Sequence, residues 1–245
     1  MTRFADPMVI QCPKCHGRLR KSRLASLSGY GRPPKVWSDG HSDISVLRAM
    51  SPLAHCPLCD GIFWHDDAKE IGILPREPRR MDWLSTLHAK LTRDKDGHLA
   101  AQRRWNAMDE GLKSCPRCNI PEFDHFVAAL SLISDLTPSR ESIARRTIWW
   151  RYNDSMRTKS DGTRCMGIPE TSESFAKQNL VALLQLHERS IVNAPIERAE
   201  ILRQLGRFDE AITVLMPIES GDREFALARK IMQFAIDRES ILMEV

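Results

Sequence analysis

Short alternating runs of apolar and polar residues mark the front of the chain, and longer repeats of helical period mark the rest. Met8-Val9-Ile10-Gln11 predicts a first strand, and Arg18-Leu19-Arg20 and Ile62-Phe63-Trp64 continue as short strand-like runs. Val36-Trp37-Ser38-Asp39-Gly40 reads as a strand ending in an Asp-Gly turn, after a loop with two glycines and two prolines over Ser26 to Pro34. Asp66 is placed to cap a short helix, Asp67 to Ile71, stopped at Gly72. Arg76 to Lys113 is polar. It carries one helical pattern over Met81 to Thr92, with Trp83, Leu84, Leu87 and Leu91 on one face, and a weaker one over Leu99 to Leu112.

From residue 115 onward the period is helical throughout. Phe123, Phe126, Val127, Leu130 and Ile133 share a face. Thr137-Pro138 places a capping hydroxyl before a proline at the first helical position, and that helix runs to Asn153 and Asp154. The Trp149-Trp150-Arg151-Tyr152 cluster within it reads better as core packing than as a stacking platform. Arg157 to Gly167 reads as a loop holding the lone Cys165. Further helices start at Thr171 or Ser172, at Pro195 and at Phe208, and Asp222 is the expected cap of a last one reaching Ile241. The expected fold is α+β: a small β-rich domain over 1–75, a charged and partly helical arm over 76–114, and an α-helical domain over 115–245.

Candidate chemistry begins with cysteine. Cys12-Pro13-Lys14-Cys15-His16-Gly17 and Cys56-Pro57-Leu58-Cys59-Asp60-Gly61 share the form Cys-Pro-x-Cys-x-Gly. Two thiolates three positions apart can grip one metal from a single turn, and two such turns make a closed Zn(Cys)4 set of Cys12, Cys15, Cys56 and Cys59. Each glycine is expected to supply the φ > 0 step past the metal. A redox dithiol would need a helix from its first cysteine, which Gly17 and Gly61 oppose. Cys115-Pro116-Arg117-Cys118 lacks the following glycine. It is either half of a second metal site, with His125 as a third ligand, or a pair of thiols at a helix start, with exchange into the first site a further alternative.

Seven cysteines, six of them in Cys-x-x-Cys pairs, favour metal over disulfides and a cytoplasmic setting. No apolar run is long enough to span a bilayer. The net charge of +4 is uneven: residues 1–167 carry 27 Lys/Arg against 19 Asp/Glu, and residues 168–245 carry 9 against 13. Arg18, Arg20, Lys21, Arg23, Arg32 and Lys35, with Tyr30 and Trp37 to stack, form the candidate nucleic-acid surface; the competing reading is a solvated charged loop.

Residues 199–218, Ala-Glu-Ile-Leu-Arg-Gln-Leu-Gly-Arg-Phe-Asp-Glu-Ala-Ile-Thr-Val-Leu-Met-Pro-Ile, resemble the latter part of a tetratricopeptide repeat, with Gly206 between paired helices and Ala211 where they approach. Cys12 to Gly61 resembles a zinc ribbon, and the whole layout is similar to unannotated bacterial proteins with a zinc-ribbon front and a TPR-like end. That resemblance brings no activity with it, but a closed metal site and a repeat-like helix hairpin are both usually interaction scaffolds. The resulting expectation is a non-enzymatic adaptor that binds another protein through its helical domain. The alternative is a nucleic-acid-binding or regulatory protein using the basic segment. No phosphate-cradling glycine loop, nucleophile elbow or metalloprotease His pair occurs, and a carboxylate group at Asp66, Asp67 and Glu70 is explained by a helix start.

Overall fold

A computed structural model of the chain describes residues 3–26, 35–42, 51–75, 95–132, 136–157, 173–189, 194–222 and 224–245. The expected helix at Met81 to Thr92, most of the loop at Ser26 to Pro34 with Tyr30 and Arg32, Cys165, and the helix start at Thr171 or Ser172 lie outside the described residues. Two compact units are formed, one from residues 1–31 and 46–121, the other from residues 32–45 and 122–245. The architecture is α+β, with small antiparallel sheets toward the front and eight α-helices among the described residues. None of those helices is long and apolar enough to cross a membrane.

The first unit is built on two hairpins. Strands β2 (Met8–Gln11) and β3 (Arg18–Lys21) pair antiparallel, Gln11 opposite Arg18. Strands β5 (Leu53–His55) and β6 (Ile62–Trp64) pair likewise, His55 opposite Ile62. A third small ladder joins β1 (Arg3–Phe4) to β4 (Leu24–Ser26). The inward residues Ile10, Leu19, Ala54 and Phe63 pack with Cys12 and Cys56 into one cluster. The helix expected over Asp67 to Ile71 is instead a 3-10 turn, His65–Asp67, followed by strand β7 (Lys69–Ile73), which pairs with the other edge of β2. A helix of one turn gains little from hydrogen bonding, whereas an open strand edge offers a whole ladder to a segment holding two isoleucines.

The Cys115-x-x-Cys118 segment is a seam in this unit. Arg20 N donates to Pro116 O at 2.8 Å and Cys118 N to Arg20 O at 3.0 Å; one residue on, Asn119 N donates to His55 O at 3.0 Å. Residues 116–119 thereby fill the gap between β3 and β5. Helices α1 (Lys95–Asn106) and α2 (Glu110–Lys113) add a smaller cluster, in which Trp105, Met108 and Leu112 cover Val9, Leu74 and Cys115. The sequence boundary before Cys115 therefore differs from the structure, where residues 115–121 belong with the first unit.

The second unit is a succession of helices: α3 (Phe123–Leu132), α4 (Pro138–Asn153), α5 (Glu173–Glu188), α6 (Pro195–Gln204), α7 (Phe208–Leu215) and α8 (Phe225–Ile236). Each packs on the next, and α8 returns to α6. Thr137 caps α4 as expected, accepting from Arg140 N at 3.3 Å. Gly206 ends α6 at φ +77°, and Arg207 N reaches back to Leu202 O at 2.8 Å. Ala199 and Ala211, both fully buried, let α6 and α7 close on one another. Trp149 lies in this core, its indole N–H on Gln204 Oε1 at 2.8 Å. Asp222 caps a turn through Glu219 N rather than the last helix, which ends at Ile236.

Val36–Ser42, expected in the β-rich front, is a tight hairpin of the second unit. Gly40 turns it at φ +75°, and Ser38 N donates to Met243 O at 2.8 Å. It carries buried polar groups into the helices. Asp39 meets the Arg157 guanidinium and accepts from Asn153 Nδ2 at 2.9 Å, while Ser38 Oγ donates to Glu200 Oε1 at 2.7 Å. Glu200 is clamped by Arg203 at 2.7 and 2.8 Å, and Arg203 also holds the carbonyls of Glu239 and Ile241. Arg157, Glu200 and Arg203 are all 0 % exposed, and Arg157 donates to the carbonyl of Trp150 in the last turn of α4. Burial pushes the Asp39 carboxyl up to about 6 against the pull of Arg157.

Two predictions follow from this unit. Residues 122–245 expressed alone leave Arg157 without Asp39 and Glu200 without Ser38. Loss of one member of a buried ionic group costs about 3–5 kcal/mol. We expect a molten or insoluble fragment by circular dichroism and proteolysis, and recovery of a cooperative transition when residues 32–45 are tethered to it. Glu197 is subject to opposing forces: burial raises its carboxyl, but His187 at 3.1 Å and Arg146 at 2.7 Å together hold it below the ordinary value of 4.5. A carboxyl lowered by folding adds stability above its unfolded pKa and loses it as pH falls through the folded one. Melting temperature is therefore expected to fall below about pH 4.5, less steeply in Glu197→Gln.

Candidate metal centre

Each hairpin ends in a cysteine knuckle of the same construction. In the first, Cys12 N donates to Gly17 O and His16 N to Cys12 O, both at 2.9 Å. In the second, Cys56 N donates to Gly61 O and Asp60 N to Cys56 O, again at 2.9 Å. The left-handed step falls one residue before the expected place, at His16 (φ 60°) and Asp60 (φ 58°), and not at the glycines. Aspartate and histidine are among the residues that tolerate this conformation. The glycines serve space instead. A Cβ on Gly17 would lie 3.3 Å from Cys15 Sγ and one on Gly61 3.2 Å from Cys59 Sγ, and each would also strike the opposite knuckle, at Leu58 and Lys14. The residue between the paired cysteines of one turn thus covers the glycine of the other.

The two turns bring four sulfurs together. All lie within 4.8 Å of one another, with Cys12–Cys59 at 3.9 Å and Cys15–Cys56 at 3.8 Å. A tetrahedron of sulfurs about 2.3 Å from a central ion has edges of about 3.8 Å. The set therefore fits a metal ion, and the donor chemistry is that of soft thiolates. Cys12 and Cys56 are fully buried, while Cys15 and Cys59 are exposed. The Gly17 N–H directed at Cys15 lowers its thiol. Burial pushes the Cys56 thiol up to about 12, so a thiolate there depends on a nearby positive charge.

Cys115 is buried against Val9 and Leu74 and donates its S–H to Leu112 O at 3.0 Å. Cys118 packs beside Cys12 and Cys56 in the apolar cluster, and burial pushes its thiol up to about 11. His125 lies in the other unit, at the start of α3, where Nδ1 accepts from Glu122 N at 3.0 Å. Among the described residues these three form no metal-binding group.

The described basic residues divide between the two units. Arg18 pairs with Asp109 at 2.7 Å, and Arg20 donates to the carbonyls of Cys115 and Lys113 at 2.7 and 2.6 Å. Arg23 O accepts from Ala5 N at 2.9 Å. Lys35 pairs with Glu244 at 2.9 Å in the second unit, and Trp37 is buried there beneath Arg157. Lys21 faces a cavity, together with His65 and Arg117. Sequence reasoning missed these two partners because nothing local joins positions 21, 65 and 117. No family model matches the chain, and neither a curated protein nor a solved structure matches it.

The centre predicts its own sensitivity. Cys12→Ser or Cys56→Ser, which remove a buried sulfur, are expected to lose bound metal by elemental analysis and to destabilise the first unit by several kcal/mol in urea. Gly17→Ala, which crowds Cys15 Sγ without removing a ligand, should weaken retention against a chelator by a smaller factor.

Proposed function

We propose that this protein is a non-enzymatic adaptor in which one structural zinc ion holds the first unit and the helical second unit binds another protein. The observation that carries the reading is the closed set of four cysteine sulfurs with edges of 3.8 and 3.9 Å. Zinc suits an all-thiolate tetrahedron, and four protein sulfurs leave no position for a reacting water. On this reading the first unit is a zinc-ribbon-like fold, the α6–α7 hairpin is TPR-like, and the protein works in a reducing cytoplasm. Val181, Met216, Ile236 and Ile241 are large apolar residues left exposed on the helical unit, and they support it as the partner surface. The nucleic-acid alternative is weaker, since Arg18, Arg20 and Lys35 are engaged and Trp37 is covered.

Affinity capture of the tagged full chain from its native lysate, with and without nuclease, tests the proposal. A stoichiometric protein that survives nuclease and is lost with Met216→Glu plus Ile236→Glu is the expected result. Co-purifying nucleic acid, with every protein lost after nuclease, would overturn it.

A further inference from the structure

The first unit holds a cavity of about 290 Å³ at the seam where residues 116–119 join β3. Lys21, at the end of β3, and Arg117, carried there by the Arg20–Arg117 bridge, both line it, and His65 adds an imidazole. Leu53, Ile120 and Phe4 form its apolar wall. Among the described residues neither Lys21 nor Arg117 makes an ion pair, and no residue lining the cavity is Asp or Glu. That sets them apart from Arg18, Arg20 and Lys35, whose charges all have partners. Burial, with Lys21 adding to it and Asp66 opposing it, pushes His65 down to about 4, so its ring is neutral at pH 7 and can donate through one nitrogen. Its Nδ1 is buried with no hydrogen-bond partner among the described residues.

Two cations held over one cavity without a carboxylate create a positive potential that a bound anion relieves. Guanidinium matches an oxyanion with a fork of two N–H donors, and an ammonium adds a point charge. The apolar wall then has to cover something other than a solvated inorganic ion. A cavity of this size lies at the small end of ligand sites, enough for one ring.

We propose that this cavity binds a small organic oxyanion, a phosphate or carboxylate head on a single apolar ring. Arg117 forks the head group, Lys21 supplies the second charge, and Leu53 and Ile120 cover the ring. None of Cys12, Cys15, Cys56 and Cys59 lines the cavity.

Calorimetric titration of the metal-loaded full chain with phenyl phosphate, benzoate, inorganic phosphate and phenol tests this. At least one ring-bearing anion is expected to saturate the protein and to bind about tenfold or more tighter than inorganic phosphate and phenol; which of the two does so identifies the head group. Lys21→Met with Arg117→Met should weaken that binding by about tenfold or more, while Arg18→Met, outside the cavity, leaves it unchanged. Ile120→Ser, at an exposed position, should weaken only the ring-bearing anion, and it keeps the test sharp if the double variant fails to fold. Absence of saturation by both ring-bearing anions up to about 10 mM, or equal weakening in Arg18→Met, would overturn the proposal.

Discussion

Four sulfurs within 4.8 Å of one another cannot all be thiolates unless a cation lies among them. At an effective dielectric of about 20, each pair of unit charges near 4 Å repels by about 4 kcal/mol, and four charges make six pairs. This constraint governs the first unit. Its two hairpins are short, and Cys12 and Cys56 stand inside the apolar cluster as both core residues and ligands. The ladders and the seam at residues 116–119 set the directions of the two turns, and the sulfurs set their separation.

The second unit solves a different problem. Its helices bury an apolar core of ordinary kind, yet among the described residues four charged side chains are sealed at 0 % exposure: Asp39, Arg157, Glu200 and Arg203. Such groups give little net stability when paired and cost heavily when orphaned. Their value here is in specifying position. Ser38 and Asp39 are held there because Glu200 accepts from the Ser38 hydroxyl and Arg157 takes the Asp39 carboxylate beside that of Asp154.

Much of this was legible in the residues. Pro195, Gly206 and Phe208 mark α6 and α7 because cap chemistry is local, and Thr137-Pro138 marks α4 for the same reason. The paired Cys-Pro-x-Cys-x-Gly motifs placed the four sulfurs together, although the strained residues proved to be His16 and Asp60. What local pattern could not reveal were events at long range. Strand β7 exists because β2 has an edge to offer, the third cysteine pair fills a gap between two hairpins, and the Asp-Gly turn belongs with helices far along the chain. Lys21, His65 and Arg117 likewise meet only after the seam has formed.

The placement of the Val36–Ser42 hairpin has a consequence for the order of assembly. Ser38 waits 162 positions for Glu200 and 205 for Met243, and the segment that carries it leaves and re-enters the first unit between the two knuckles. As the chain emerges from the ribosome, the first unit can close while residues 32–45 remain an undocked excursion between its two cysteine turns. The second unit then completes around a piece of chain made long before it. Contacts of such sequence separation are slow to form. A newly made molecule therefore passes through an interval in which its front is folded, its helices are present, and the hairpin that secures them has yet to seat.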